Sequence, residues 1–255
     1  MVEDKLMPGM KENFLRNAHD TTFSPTGLYN FVSGSLLTDS SGADPAKNLT
    51  ENDAPIDEVD FIPGSAEGLS HFTYYRNSNT DFKYTGAMSF CCLFYTTDDE
   101  PNSTNGQHYF VTFDASGAVG AALYALQITK IGGTLPYEIH YAHESQQDEI
   151  YRIGTGANLP RNHKWQHLAF TRDSNGTGIK IYLNGAEIVS GTLAKAPGAD
   201  VMQNSGHFTL GNIYNFPNSR NSTYVQTSCA IYDKELTANQ IKYLARKTLG
   251  YDKVR

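Results

Sequence analysis

The stretch from 164 to 185, KWQHLAFTRDSNGTGIKIYLNG, constrains the fold most strongly because apolar and polar residues alternate on both sides of a turn. Alternation with a period of two places successive side chains on opposite faces of a strand. The apolar side chains of the two predicted strands then share one core-facing side: Leu168, Phe170, Ile179, Ile181 and Leu183. The segment between them, DSNGTG, is rich in residues that tolerate a positive φ. The stretch therefore predicts an antiparallel hairpin with one buried face.

The rest of the chain repeats this pattern of short apolar runs separated by Gly, Asn and Pro. Runs such as AMSFCCLFYTT, QHYFVTFDA and AALYALQIT follow one another at intervals typical of a sandwich or barrel. The chain of 255 residues contains 22 Gly, 16 Tyr and 13 Phe, which suit turns and half-buried pleated surfaces. We predict an all-β fold in a single domain that follows an N-terminal arm of residues 1–25.

One helix is predicted near the C-terminus. Thr237 and Gln240 match a capping box, in which the hydroxyl and the amide each satisfy a backbone N–H of the first turn. Apolar residues then recur at three- and four-residue spacing from Ile241, and Gly250 is placed to end the helix. We expect this helix to cover an edge or an end of the sandwich.

The charge and hydropathy of the chain argue against two classes of partner. A formal charge of −7 and the lack of a basic run oppose binding to a nucleic-acid backbone. No stretch is long and apolar enough to span a bilayer, so no membrane partner is predicted. The opening residues MVEDKLMPGMKENF lack the apolar core of a signal peptide. We therefore expect synthesis in the cytoplasm without export by a standard signal.

Three cysteines, Cys91, Cys92 and Cys229, form an odd set that does not indicate a disulfide framework. The adjacent pair should project to opposite faces of a strand. No Cys and His spacing resembles a zinc site. We expect all three to serve as small apolar residues in the core.

Trp165 and His167 in the hairpin allow three interpretations. The histidine could be a general base, the two residues could stack on a sugar, or the histidine could be hydrogen-bonded within the sheet. No Ser or Cys nucleophile motif lies near His167 in the sequence. The structural interpretation is therefore favoured.

The segment 39–60 is acidic, with seven Asp or Glu residues against one Lys. Carboxylate, amide and carbonyl oxygens are the ligands that Ca²⁺ prefers, so a hard-cation site is one interpretation. The other is a solvated loop, which is favoured because the segment lacks the spacing of an EF-hand.

Several motifs together resemble the laminin-G-like, concanavalin A-like lectin/glucanase superfamily. WQHLAFTRD followed by GIKIYLNGAEIVSG is similar to its W-x-H-x-A-x-T strand and Tyr-x-Asn-Gly turn, here at Trp165, His167, Ala169, Thr171, Tyr182, Asn184 and Gly185. Further matches occur in the order of the family: GLYNF at 27–31, DSSG at 39–42, NLT at 48–50, HFTLGN at 207–212 and IYDKELTANQIKYLA at 231–245. The resemblance covers about residues 26 to 250, so we assign the domain to 26–255.

The resemblance implies a two-sheet antiparallel jelly-roll sandwich of concanavalin A-like form with a short C-terminal helix. Ligand sites in the family, where present, lie in the rim loops or on the concave sheet. Many members hold a Ca²⁺ ion at the rim. The implied calcium ligands here are Asp39, Ser41 and Asp44 in one group and Asp98 and Asp99 in another.

The superfamily also includes glucanases, whose catalytic carboxylates would form a recognisable motif. A retaining glycosidase requires two carboxylates about 5 Å apart, which one strand supplies when acidic residues alternate. The nearest match is EVDFIP, where Glu58 and Asp60 are followed by Ile62 and Pro63, so the second glutamate is missing. We predict a non-catalytic domain, with a glycoside hydrolase as the less favoured alternative.

A carbohydrate-recognition or adhesion domain is the first non-catalytic hypothesis. Sugar sites combine aromatic faces with amide and charged groups. The segment IYNFPNSRNSTY offers such a mixture, and the candidate ligand residues are Tyr214, Asn215, Phe216, Asn218 and Arg220. An ordinary polar loop has a similar composition, and that alternative stays open. The partner expected is a glycan or cell-surface polysaccharide.

The second hypothesis is a structural part of a larger assembly, such as the tail or capsid of a bacterial virus, where this fold is common. The arm of residues 1–25 could pack on the body of the domain or bind other virion subunits. Reduced cysteines and the lack of an export signal suit assembly after cytoplasmic synthesis. The expected location is a virion or cell-surface assembly, or the cytoplasm if neither applies. A surface domain of a virion could also bind glycans, so the two hypotheses are compatible.

Overall fold

The structure, a computed structural model, describes residues 19–30, 38–42, 46, 48–51, 75–77, 82–95, 108–114, 122–131, 134–144, 150–154, 165–198, 207–210 and 225–250. Its strands are β1 Gly27–Asn30, β2 Thr50–Glu51, β3 Tyr75–Asn77, β4 Met88–Tyr95, β5 His108–Asp114, β6 Ala122–Ile131, β7 Thr134–Glu144, β8 Ile150–Gly154, β9 Trp165–Arg172, β10 Gly178–Leu183, β11 Ala186–Thr192, β12 His207–Leu210 and β13 Val225–Tyr232. The helix α1 spans Ala238–Leu249.

The strands form two antiparallel sheets. The six-stranded sheet has the order β1-β13-β4-β9-β10-β11, and the seven-stranded sheet has the order β2-β3-β12-β5-β6-β7-β8. Because strands distant in sequence are neighbours in both sheets, each sheet is built from several parts of the chain. The predicted all-β, two-sheet fold with a short C-terminal helix is confirmed.

The hairpin of 164–185 has the predicted register and faces. Phe170 of β9 lies opposite Ile181 of β10, and both are fully buried between the sheets. The turn is closed by hydrogen bonds between Asp173 and Gly178 and between Gly176 and Asp173, of 2.9 and 3.0 Å. Gly176 has a φ of 76°, which only glycine adopts readily. The alternating pattern therefore predicted this element correctly.

The main core lies between the two sheets. It consists of apolar side chains from both inner faces, which are buried as their alternation in the strands requires. Among its members are Phe90, Phe94, Phe110, Leu126, Tyr141, Leu168, Phe170, Phe208 and Ile231. The packing of aromatic rings such as Tyr141 of β7 on Phe170 of β9, with centroids 4.8 Å apart, joins one sheet to the other.

A second core lies on the outer face of the six-stranded sheet. Small and aromatic residues of the strands, such as Ala169 and Tyr182, pack there against Ile241 and Leu244 of α1. The helix therefore covers a sheet face, and the expectation that it would cover an edge or an end was wrong. An amphipathic helix buries its apolar stripe on the largest exposed apolar surface, and here the outward side chains of β4, β9 and β13 form that surface.

The ends of α1 agree with the sequence prediction. The Thr237 side chain accepts a hydrogen bond from the Gln240 backbone, and the Gln240 side chain accepts one from the Thr237 backbone. Gly250 has a φ of 75° and ends the helix in the left-handed conformation. Within the described ranges, no helix has the length and hydropathy needed to cross a membrane.

The described part of the arm, from His19 to Pro25, packs on the outer face of the six-stranded sheet. The His19 backbone carbonyl accepts from the Asn30 amide, and Lys247 of α1 forms an ion pair with Asp20. Phe23 packs edge-on against Tyr243 of the helix. This part of the arm therefore belongs to the body of the fold. The boundary at residue 25 stays a prediction.

Candidate functional site

Several strand ends meet at one end of the sandwich, which we call the loop rim. It is defined by the last residues of β4 and β12 and the first residues of β5, β13 and β9: Tyr95, Leu210, His108, Val225 and Trp165. In the six-stranded sheet, Val225 pairs with Tyr95, which in turn pairs with Trp165. In the seven-stranded sheet, β12 ends at Leu210 beside β5, which begins at His108. The rim thus contains ends of strands from both sheets.

Contacts across the sandwich hold these strand ends together. The Gln226 side-chain amide donates to the Phe110 carbonyl over 3.0 Å, which joins β13 to β5. The Phe94 and Phe110 rings meet edge to face with centroids 5.0 Å apart, which joins β4 to β5. The end of β4 and the starts of β13 and β5 are therefore fixed against one another by buried groups.

Two of the segments with candidate site residues connect strands across this rim. Residues 211–224 lead from Leu210 to Val225 and contain the five candidate ligand residues. Residues 96–107 lead from Tyr95 to His108 and contain Asp98 and Asp99. Tyr214, Asn215, Phe216, Asn218, Arg220 and both aspartates lie outside the described residues. The structure nevertheless shows that the two segments are attached to adjoining strand ends, which the sequence did not predict.

Asp39, the first candidate calcium ligand, lies beside the edge strand β1. Its Oδ1 accepts hydrogen bonds from the Leu28 and Ser41 backbone N–H groups, over 3.0 and 2.9 Å. Its own N–H donates to Asn48 Oδ1, and the Ser40 N–H donates to the Leu28 carbonyl. The side chain is 7% exposed.

The Asp39 carboxylate thus satisfies the open edge of β1, where backbone groups have no strand partner. A cation at Oδ1 would displace two N–H donors, so this oxygen does not fit a calcium ligand. The described neighbour Ser41 is held by the same carboxylate, and Asp44 lies outside the described residues. The calcium assignment to this group stays a prediction.

His167 is fully buried and its ring contacts His19 of the arm, with the two Nε2 atoms 3.2 Å apart. Burial lowers the pKa of His167 well below its usual range, and the neighbouring His19 lowers it further. A histidine enclosed in this way cannot reach a substrate from solvent. The expectation of a hydrogen-bonded structural histidine is confirmed, and its partner comes from a segment 148 residues away.

The three cysteines are free and buried, as expected. Cys92 packs in the main core and Cys91 in the outer core, so the adjacent pair does project to opposite faces. Burial raises the pKa of each thiol. Their thiols are therefore protonated at neutral pH.

A polar cluster that the sequence did not reveal lies inside the sandwich at the far end of β9. Arg172 is fully buried and donates to the Gly86 and Tyr84 carbonyls and to Tyr141 Oη. His143 contacts Tyr141 Oη through Nδ1 and the Lys195 carbonyl through Nε2, over 3.3 and 2.6 Å. The carbonyl and hydroxyl partners named here are neutral groups that solvate the buried guanidinium.

The two-layer arrangement, the Asn-Gly turn after β10 and the capped closing helix define an antiparallel sandwich of concanavalin A-like form. A laminin-G family model described as "Concanavalin A-like lectin/glucanases superfamily" matches residues 69–242, more than half of the chain. The chain therefore belongs to this family, and the resemblance seen in its motifs is confirmed.

Solved structures of low sequence identity share the fold. Domain 4 of AbnA, a GH43 extracellular arabinanase from Geobacillus stearothermophilus in complex with arabinotriose, is 20% identical with a TM-score of 0.59, over 87% of this chain and 98% of that domain. The binding domain of botulinum neurotoxin DC in complex with SialylT is 14% identical with a TM-score of 0.60, over 90% of this chain and 52% of that one.

The botulinum neurotoxin serotype D ligand binding domain in complex with N-acetylneuraminic acid is 13% identical with a TM-score of 0.57, over 88% of this chain and 50% of that one. The chain spans about half the length of these neurotoxin domains. At such identities the similarity establishes the fold alone. No curated protein sequence matches the chain.

Proposed function

We propose that this protein is a non-catalytic carbohydrate-recognition domain that binds a glycan at the loop rim. The observation that carries the proposal is the attachment of segment 211–224, with its aromatic and amide residues, to a rim built from rigid, buried strand ends. Binding residues are often located on loops that a rigid scaffold positions in this way.

The chemistry of the candidate residues suits a sugar. The faces of Tyr214 and Phe216 can pack on the apolar side of a pyranose, while Asn215, Asn218 and Arg220 can bond its hydroxyl or acidic groups. Trp165, which is half-buried at the rim on the outer face of β9, offers a further aromatic surface there. Together they combine the apolar and directional contacts that carbohydrate sites require.

Three of the similar solved structures support a carbohydrate as the class of ligand. The arabinanase domain was solved with arabinotriose, and two neurotoxin binding domains with ligands named N-acetylneuraminic acid and SialylT. The match covers 98% of the arabinanase domain and about half of each neurotoxin domain. We extend the general class, and no particular sugar, to this chain.

The binding proposal is tested by a glycan array probed with the purified protein, in buffer with Ca²⁺ and in buffer with a chelator. We expect reproducible binding to a restricted set of glycans in at least one condition. If no glycan is bound in either condition, the carbohydrate proposal is wrong.

The non-catalytic part of the proposal rests on the incomplete motif at Glu58, Asp60, Ile62 and Pro63, which lies outside the described residues. It is tested by incubating the protein with β-glucans and measuring reducing ends. Hydrolysis by the wild type that is lost in Glu58→Gln would show that the domain is an enzyme.

Calcium binding at the rim is part of the proposal, with Asp98 and Asp99 as the main candidates because Asp39 Oδ1 already accepts two backbone hydrogen bonds. Isothermal titration with Ca²⁺ should show one site in the wild type and in Asp39→Asn, and weaker binding in Asp98→Asn. Loss of binding in Asp39→Asn alone would instead place the ion beside Asp39, Ser41 and Asp44.

We also propose that the domain is displayed on a virus particle, as a tail or capsid component. Free, buried cysteines suit folding and assembly in a reducing compartment. Light scattering of the isolated protein, together with pull-down from a lysate, should reveal self-association or a structural partner. A monomer with no partner would contradict this part of the proposal and leave carbohydrate binding untouched.

A further inference from the structure

Three potential metal ligands from distant parts of the sequence meet in the outer core. They are His19 of the arm, Cys91 of β4 and His167 of β9. One ligand atom from each lies within 4.8 Å of the other two. Cys91 and His167 are fully buried, and His19 is 2% exposed. The cluster is therefore closed to solvent, and none of its three residues is among those proposed to bind a glycan.

The hydrogen bonds around His19 determine which of its ring nitrogens carries the proton. The Ser228 hydroxyl donates to Asn30 Oδ1 over 2.6 Å, so Ser228 Oγ must act as the acceptor in its other contacts. It accepts from the His19 backbone N–H over 3.0 Å and from His19 Nδ1 over 2.8 Å. His19 therefore carries its proton on Nδ1 and directs the lone pair of Nε2 toward His167.

This arrangement is that of a preformed metal ligand. Histidines that bind metals usually donate the second ring N–H to a neighbouring group, which fixes the ring and the tautomer. Ser228 and Asn30 perform this function for His19, and Asn30 also donates to the His19 carbonyl. The side chains that orient the ring are thus in place without a ligand.

The protein alone leaves the cluster incompletely bonded. With Nε2 of His19 as the acceptor, the 3.2 Å contact requires that His167 Nε2 donates its proton. His167 Nδ1 is then a buried acceptor, and it has no hydrogen-bond partner among the described residues. Each ring thus carries one proton and offers one lone pair, and the bare Nδ1 of His167 can take up the proton that its Nε2 would give up to a metal ion.

The separation of the two ring nitrogens is close to that required by a single ion, and the Cys91 sulfur lies within 4.8 Å of the other two ligand atoms. Two imidazole nitrogens that are each about 2.0–2.1 Å from one metal ion lie about 3.3–3.6 Å from each other. The two Nε2 atoms are 3.2 Å apart, so a shift of a few tenths of an ångström places both in ligating positions. Ala169 and Ala230, which are paired with Cys91 in the flanking strands, leave space around its sulfur.

We propose that His19, Cys91 and His167 bind one soft d¹⁰ metal ion, Cu(I) in preference to Zn(II), which fastens the arm to the outer face of the six-stranded sheet. On binding, the Cys91 thiol releases its proton to solvent. The proton that His167 Nε2 donated to His19 moves to Nδ1 of His167, so that Nε2 can bind the metal. No electron is transferred. The metal replaces the shared proton as the link between the rings.

Charge and ligand number favour Cu(I). A thiolate and a monovalent cation form a neutral unit, whereas Zn(II) would leave a net positive charge in a buried site, which is costly. Structural zinc sites have four protein ligands, and only three are present among the described residues. Ser228 Oγ is unsuited as a fourth because its donor and acceptor positions are engaged. Thiolate and imidazole are both good ligands for copper.

The test is a metal titration of the full chain after treatment with a chelator and a reductant. Cu(I) is added without oxygen in competition with a chromogenic chelator, and Zn(II) is titrated in a parallel experiment. We expect one equivalent of Cu(I) to bind and the melting temperature to rise. Cys91→Ala and His19→Gln should each weaken binding by about a hundredfold or more, and Ser228→Ala by about ten- to a hundredfold.

Cys92→Ala is the matched control, because Cys92 is the next residue of the same strand, is equally buried and faces the main core. It should bind Cu(I) as the wild type does. Circular dichroism verifies that each variant is folded. If Cys91→Ala does not fold, His19→Gln takes its place as the test of binding. The proposal is overturned if the wild type does not compete for Cu(I), if Cys91→Ala retains binding, or if Cys92→Ala loses it equally. Tight Zn(II) binding without Cu(I) binding would overturn the choice of ion.

Discussion

The buried side chain of Arg172 donates hydrogen bonds to uncharged groups inside this sandwich. Arg172 is the largest of the fully buried described side chains, and it bonds two carbonyls and the Tyr141 hydroxyl. Its guanidinium fork therefore ties β9 to residues 84–86 and to the opposite sheet. A buried cation of this kind is stable only while its hydrogen bonds are complete.

Arg172→Ala should destabilise the protein by about 3–5 kcal/mol, because it removes the buried donors that bond two carbonyls and the Tyr141 hydroxyl. Arg172→Lys should recover only part of this loss, since an ammonium group cannot reproduce the fork. Urea unfolding measures both. The control is Lys180→Ala, which breaks the exposed pair with Glu235 and should cost less than about 1 kcal/mol. Equal losses in the two alanine variants would contradict the role given to Arg172.

His143 predicts a dependence of stability on pH. Desolvation lowers the pKa of His143 to about 4, and the Arg172 charge contributes, although the bond to the Lys195 carbonyl opposes the shift. The folded state stays neutral while the unfolded state takes up a proton below about pH 6.5. Stability is therefore full above this pH and falls as the pH decreases toward 4.

His143→Gln should flatten that fall by the equivalent of one proton, which amounts to at most about 3 kcal/mol over the interval. The measurement is the free energy of unfolding in urea at several pH values between 4 and 8. Parallel pH profiles for the wild type and the variant would show that His143 is not the group involved.

At the scale of residues, sequence alternation predicted which side chains of the hairpin face the core and that Cys91 and Cys92 face opposite ways. It could not predict that His19 meets His167, because local periodicity contains no information on contacts 148 residues apart. The same limit applies to Arg172. An arginine at the end of an alternating strand is normally interpreted as exposed, and only the two-sheet packing shows it to be buried.

At the scale of elements, the turn after β10 and the helix α1 depend on one another. Asn184 and Gly185 have φ angles of 53° and 81°, the pattern of an Asn-Gly hairpin turn. A Cβ on Gly185 would lie 3.0 Å from Lys242 Cα and 3.1 Å from Ala245 Cβ of α1. Glycine is therefore required twice, for the backbone conformation and for the close approach of the helix.

Gly185→Ala should therefore lower the free energy of unfolding more than the same substitution at a glycine that has the same φ but no close neighbours. Gly42 has the same φ of 81°, and a Cβ added to it would have no described atom within 4 Å. Gly42→Ala should cost about 1–2 kcal/mol for the backbone alone. Gly185→Ala should add about 1–3 kcal/mol of steric strain. Thermal and urea unfolding of both variants measure the difference, and equal losses would show that α1 does not press on the turn.

The elements themselves were largely predictable. The capping box at Thr237, the end of α1 at Gly250 and the strands of the family motifs were found in the expected places. The location of α1 could not be predicted. An amphipathic pattern indicates that a helix buries one face, but it does not specify which surface of the protein that face packs against. The arm and the helix both cover the outer face, and neither sequence pattern identifies the other as its neighbour.

At the scale of the whole molecule, two cores share one sheet. The six-stranded sheet contributes its inner face to the sandwich and its outer face to the layer formed by α1 and the arm. This arrangement leaves the rim as the place where loops can vary without disturbing either core. The sequence identified the candidate segments 96–107 and 211–224. Their attachment to adjoining strand ends depends on long-range strand pairing, which a single sequence does not contain.

The most direct test of glycan recognition at the loop rim is the affinity of rim variants for a glycan that binds the wild type. Isothermal titration should show that Phe216→Ala and Tyr214→Ala each weaken binding by about tenfold or more, since each removes about 1–3 kcal/mol of packing against the sugar. Tyr243→Ala, which removes an exposed aromatic residue of α1, is the control and should bind as the wild type does. Unchanged affinity in both rim variants, or an equal loss in Tyr243→Ala, would contradict a glycan site at the rim.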